Sequence, residues 1–188
     1  HSSYLLKAQK GQFTGCLAPF GYRKDPEDKN HLLIDEETAP IVRRLFAWAL
    51  EGHGPNYIRR RLEEEKIPCP TYWNRVRGFR NVSTKWEKKD PVNGRYMWDF
   101  SVIKDILMNP VYTGAIASQK KEYRFKIGTI GEKKPEDWIV VENQHEPLVD
   151  RKTFDIVQRK LKSRQRPRQT GEISLFAGLI KCGECGKS

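Results

Sequence analysis

WDFSVIKDILMNPVYTG, Trp98–Gly114, is the stretch on which the reading of this chain turns. Asp99 is a residue type whose carboxylate accepts the orphan N–H groups of a first helical turn. Val102, Ile103, Ile106 and Leu107 then recur at helical spacing, and Asn109-Pro110 ends the run because proline cannot continue the hydrogen-bond ladder. The pattern predicts a helix from Asp99 to Met108. Its other face carries Ser101, Lys104 and Asp105, with Phe100 at the start.

Upstream, GPNYIRRRLEEEKI places Pro55 at a first helical position and Ile58 with Leu62 on one stripe, predicting a helix over Asn56–Lys66 that Pro68 and Pro70 end. Two such helices separated by a polar excursion form a helix-turn-helix-like pair, in which the second packs one face on the core and offers the other to a major groove. Two plain core helices are the alternative. A further helix is expected over Thr38–Leu50, with Ile41, Leu45 and Ala49 in register and Val42 and Phe46 beside them, stopped by Gly52 and Gly54. Another follows the capping residue Asp150, with Phe154, Val157 and Leu161 on its buried side.

The remaining order is extended. APFGYRKD and HLLIDEE flank the turn PEDKN as a hairpin, and VYTGAIAS, KEYRFKIG and DWIVVEN read as strands, with GTIGEKKPE as the turn between the last two. SYLLKAQKGQ reads as the tail of a helix that Gly11 stops. The fold class expected is α+β: a helical domain with a helix-turn-helix-like element and a small antiparallel sheet. Its body is placed at 13–162, after a helical tail at 1–12 and before a charged linker at 163–173 and a small unit at 174–188.

Charge points to the partner. Lys and Arg number 35 against 24 Asp and Glu, a net charge of +11, and an excess of that size favours a polyanion, most commonly nucleic acid. The excursion TYWNRVRGFRNVSTKWEKKDPVNGRYMW has little periodicity and concentrates the excess, so Arg75, Arg77, Arg80 and Lys85 are the expected phosphate contacts. Tyr72, Trp73, Phe79 and Trp86 in the same stretch need a surface to pack on. Ser101 and Lys104, on the polar face of the second helix, are the candidates for base edges or adjacent backbone. Lys120 and Arg124 alternate around Tyr123, which gives one strand face to the core and the other to solvent or phosphate. Arg164 and Arg166 lie in SRQRPRQ, either a basic arm following a groove or a linker, and Lys7 with Lys10 could reach a minor groove where the chain crosses a duplex.

Cys182 and Cys185 form a C-x-x-C framed by glycines, the first half of a four-thiolate zinc site with no second pair after it. Either a distant residue completes it or the chain is a piece of something longer. Cys16 and Cys69 are expected as small core residues. Only one of the cysteine pairs is regularly spaced, so a disulfide framework is not indicated and a reducing cytoplasm fits. No apolar run reaches the length of a membrane span, and no membrane partner is expected. The four histidines lack metal-protease spacing, no G-x-S-x-G or Walker loop occurs, and His145 beside Glu146 reads as a turn and not as an acid–base couple.

APFGYRKD with LLIDEETAPIVRRLFAWALEG, IRRRLEEEKIPCPT followed by WDFSVIKDILMNPVYTGAI, HEPLVDRKTFDIVQRKL and LFAGLIKCGECG stand together in an order that resembles the large serine recombinases, the serine integrases of the resolvase-invertase superfamily. The resemblance covers nearly the whole chain. It implies the central recombinase DNA-binding domain, with 1–12 as the tail of a linker helix from an absent catalytic domain and 174–188 as the start of a truncated zinc ribbon. It further implies a double-stranded attachment site and other recombinase subunits as partners, phage or mobile-element DNA integration and excision as the setting, and zinc in the full-length protein, weakly held here at Cys182 and Cys185. No serine of this chain is then the nucleophile, and the fragment binds DNA without cutting it. A basic protein-interaction module and a non-recombinase helix-turn-helix regulator are the rival readings.

Overall fold

The computed structural model describes residues 2–79, 90, 92–124 and 129–163. Helix α1 (Ser2–Gln9) is followed by Gly11, whose φ of +68° favours glycine and which packs against the Gln144 side chain. A hairpin follows, β1 (Tyr22–Lys24) with β2 (Leu32–Ile34), in the register Tyr22↔Ile34 to Lys24↔Leu32. Asp25 and Asp28 tie the turn by accepting from the N–H groups of Glu27 and Asn30, both at 2.9 Å.

Four helices then build the core around that hairpin. Helix α2 (Ala39–Glu51) starts on Pro40 and ends at Gly52 in the left-handed region, and α3 (Pro55–Glu64) starts on Pro55. Helix α5 (Phe100–Met108) and helix α6 (Arg151–Ser163) come after α4 (Pro70–Val76). Val42, Leu45 and Phe46 of α2 meet Ile58 and Leu62 of α3, Ile103 and Leu107 of α5, and Val157 of α6 in one buried cluster. Helix α2 packs on α6, and α3 packs on α5. The expected pair of helices is thus in contact, its apolar stripes facing inward. Gln158 of α6 donates to the carbonyl of Leu107 at 2.6 Å, which fastens the last turn of α5.

Two tyrosines cross-brace the ends of this core. Tyr22 stacks on Tyr112 with centroids 6.0 Å apart, donates to the carbonyl of Glu146 at 2.9 Å and accepts from Leu148 N–H at 3.2 Å. Tyr112 donates to the carbonyl of Phe20 at 2.9 Å. Burial pushes both phenols well above the ordinary tyrosine range.

Three two-stranded antiparallel sheets are present among the described residues: β1 with β2, β3 (Ile116–Ser118) with β6 (Ile139–Val141), and β4 (Lys121–Arg124) with β5 (Thr129–Glu132). Here the structure departs from the sequence reading. Thr129–Glu132 is a strand where a turn was expected, registered Tyr123↔Ile130 on β4; a glycine-bearing strand of an isolated ribbon shows no apolar alternation to read. Val111–Thr113 lies in a 3-10 turn, Pro110–Thr113, and not in a strand. Asn109 Oδ1 accepts from Val111 N–H at 3.3 Å, and the turn delivers Val111 and Tyr112 to the core, so tertiary packing overrides β propensity. The excursion read as a long loop or frayed sheet opens instead with α4, because Pro70 starts a helix as well as ending the one before it. Cys69 is buried as expected, but Cys16 is exposed.

Candidate nucleic-acid interface

Helix α5 sets the site. The Asp99 carboxylate accepts from Ser101 N–H and from its hydroxyl, both at 2.8 Å, and these bonds hold the acid below the usual carboxylate range. Its apolar stripe is pinned on α3 and α6, which leaves Phe100, Ser101, Asp105 and Met108 exposed and Lys104 half-buried. The face presented is the one the spacing assigned.

Beside its C-terminal half lies a groove of about 470 Å³, lined by Lys104, Asp105, Met108 and Asn109 of α5 and its cap on one side, and by Lys120, Lys121, Lys133 and Trp138 on the other. The far wall is built by backbone. Gln119 takes φ +59° as the chain leaves β3 for β4, Lys133 N–H donates to the carbonyl of Lys120 at 2.9 Å, and the Trp138 indole donates to the carbonyl of Lys133 at 3.1 Å. Lys120 Nζ rests 5.0 Å from the centroid of the Trp138 ring and 3.4 Å from Asn109 Oδ1. Burial lowers its pKa, against the pull of Asp105. Four lysines and one aspartate line the groove together with an indole and a thioether: a surface suited to a polyanion that also offers apolar edges.

The structure therefore brings Lys104 and Lys120 to one groove, with Ser101 outside its lining, at the capped start of the same helix. Lys7 and Lys10 are exposed on and just after α1, which lies near β6, and Tyr4 of α1 shares a second cleft with Lys120 and Lys121. Arg75 and Arg77 are elsewhere, on α4 and at its cap, and neither lines the lysine groove. Arg77 is bonded within the protein, 2.7 Å from Asp35 and 3.0 Å from Glu37. Arg124 lies in β4. Arg80, Lys85, Arg164, Arg166, Cys182 and Cys185 fall outside the described residues.

Lys133 and Trp138 were missed by sequence reasoning. They fall in the stretch whose sequence reads as a turn and in the strand after it, and the β4–β5 ribbon folds them back toward α5. His145, weighed as an acid–base candidate, is buried: its Nε2 is 2.8 Å from the carbonyl of Val111 and its ring meets Tyr22 edge-on at 4.8 Å. Among the described residues no group of three or more His, Cys, Asp or Glu is placed to hold a metal, and no helix is long and apolar enough to cross a membrane.

Residues 36–164 match the family model described as Recombinase. Two proteins of Bacillus subtilis (strain 168) are similar: "Putative DNA recombinase", 27% identical over 201 residues covering 100% of this chain and 35% of that one, and "Uncharacterized protein YefB", 36% identical over 98 residues covering 51% of this chain and 32% of that one. The chain spans about a third of the length of these relatives. Two solved structures share the fold. A chain of "Crystal Structure of a LSR-DNA Complex" has a TM-score of 0.50 at 18% identity, covering 98% of this chain and 46% of that one. A chain of "Sequence Requirements of the Listeria innocua prophage attP site" has a TM-score of 0.53 at 17% identity, covering 98% and 62%.

Proposed function

This chain belongs to the recombinase family, and from that premise we propose that it is the part of a site-specific serine recombinase that holds the double-stranded attachment site. The observation that carries the reading is the lysine groove set against the polar face of α5. Helices α3 and α5 act as the helix-turn-helix-like pair: α5 lies in a major groove with Ser101 and Lys104 toward base edges, while Lys120, Lys121 and Lys133 follow the flanking phosphates. Lys7 and Lys10 extend the footprint, as do Arg75 and the basic stretch carrying Arg80 and Lys85.

The parent joins and excises phage or mobile-element DNA in the cytoplasm together with further recombinase subunits, and bond breaking belongs to a serine outside this stretch. Cys182 and Cys185 supply two of the four thiolates a structural zinc needs, so this stretch alone holds zinc weakly. Stoichiometric zinc surviving dialysis against a mild chelator would contradict that. The binding reading is tested by selecting bound duplexes from a random pool. Enrichment of one motif, with affinity falling steeply as salt rises, is the expected result. Recovery of no motif together with a shallow salt dependence would assign the basic face to an acidic protein partner instead.

A further inference from the structure

Helix α4 has a problem of attachment. It is seven residues long and buries none of them completely, and of its side chains Tyr72 is the one packed against the hydrophobic core, near the start of the helix. Its last turn is instead bound by charge. Asp35, at the end of β2, is 5% exposed, and its carboxylate accepts from the Thr38 hydroxyl and from the Arg77 guanidinium at 2.7 Å. Thr38, fully buried, accepts in turn from Gly21 N–H at 3.2 Å, and Asp35 N–H donates to the carbonyl of Gly21 at 3.0 Å. The guanidinium thus ends a chain of hydrogen bonds that runs through the N-terminus of α2 into the first hairpin. The same nitrogen lies 3.0 Å from Glu37, and the guanidinium carbon is 5.4 Å from the centroid of the Trp73 ring.

A cation so placed is poorly suited to a phosphate. Two carboxylates already neutralise it, and withdrawing it would leave the buried Asp35 charge without its cation. We infer that Arg77 is a positioning residue: it tethers α4 to the start of α2 and so sets the point from which the basic stretch after Gly78 departs. The tether itself is independent of the DNA-binding reading. Only its consequence for affinity rests on that reading.

The test combines amide hydrogen exchange, thermal unfolding and duplex affinity across a salt series for Arg77→Ala, Arg77→Lys, Asp35→Asn and the double variant Asp35→Asn/Arg77→Ala. Exchange of α4 amides should rise at least about tenfold in Arg77→Ala while α5 and α6 are unchanged, with Tm lower by about 3 °C or more. The double variant should lose less than the sum of its parts. Arg77→Lys keeps the charge but shortens the reach to Asp35 and loses the planar group over Trp73, so it should restore little of the α4 protection. Duplex affinity should drop with the salt slope unchanged. A slope shallower by about one unit in Arg77→Ala, the mark of a lost phosphate contact, overturns the inference. So does α4 exchange that does not move. If the unaltered protein binds no duplex, the proposed function fails, and the exchange and coupling results still decide the tether.

Discussion

Replacing Lys121 and Lys133 by alanine removes two of the four lysines of the α5 groove and leaves Lys104, and Lys120 with its ammonium over Trp138, in place. If each of the two neutralises one phosphate, together they contribute about 1.8 units to the slope of log affinity against log salt, at about 0.9 per contact. Raising salt from about 50 to about 200 mM spans about 0.6 log units, so these contacts account for a roughly 12-fold loss of affinity over that range. The double variant should lose affinity by that much less than the unaltered protein, on selected and scrambled duplexes alike. Its stability should barely change, since neither lysine is buried. Fluorescence anisotropy of a labelled duplex at several salt concentrations reads both slopes directly. If the variant keeps the original slope while its affinity falls at every salt, the groove does not face phosphate, and the duplex must lie across another surface.

Lys104→Ala alone should cost on the order of 1–3 kcal/mol on a selected site and less on a scrambled one, because a base-edge or register contact carries sequence information; an unchanged ratio on the two duplexes would leave α5 as a support and not a reader. Asp99→Ala removes the cap of α5 and should lower stability by about 1 kcal/mol, seen as a fall in Tm of about 2–4 °C. His145 is held below the ordinary histidine range by burial, in spite of its bond to Val111. Its contribution to stability is therefore complete above the unfolded value near 6.5 and is lost as pH falls below it, with a slope of at most about 1.4 kcal/mol per pH unit. Chemical denaturation between pH 7.5 and 5 should show that decline, and His145→Gln should flatten it.

The helical core was legible because its segments obey local rules. Asp99, Pro55 and Gly52 mark helix ends by mechanisms that need no tertiary context, and Ile58, Leu62, Ile103 and Leu107 fall on the stripes that pack. The polar face of α5 followed from the same spacing. What escaped was decided by long-range placement. Val111 and Tyr112 are strand formers by type, and the core draws them into a 3-10 turn. Lys133 and Trp138 gain their meaning from the fold-back of the β4–β5 ribbon onto the α5 cap. Arg77 resembles every other arginine of a basic stretch until Asp35, distant in sequence, is placed beside it.

The tyrosine bracing also bears on where this protein can be cut. Tyr22 and Glu146 are joined across a separation of 124 residues, and Tyr112 and Phe20 across 92. Contacts of that span close late in folding and couple segments far apart in sequence. The family model begins at residue 36, downstream of Tyr22, Leu32 and Asp35, all of which are buried. A polypeptide started at that boundary would lack the hairpin that packs on the core, and the buried Tyr112 hydroxyl would lose the Phe20 carbonyl that accepts its hydrogen bond. The segment needed to complete the core is therefore longer than the stretch that the family model matches. Expression trimmed to residues 36–164 should give an aggregating or partly folded product, whereas expression begun before Phe13 should give one that unfolds in a single cooperative step.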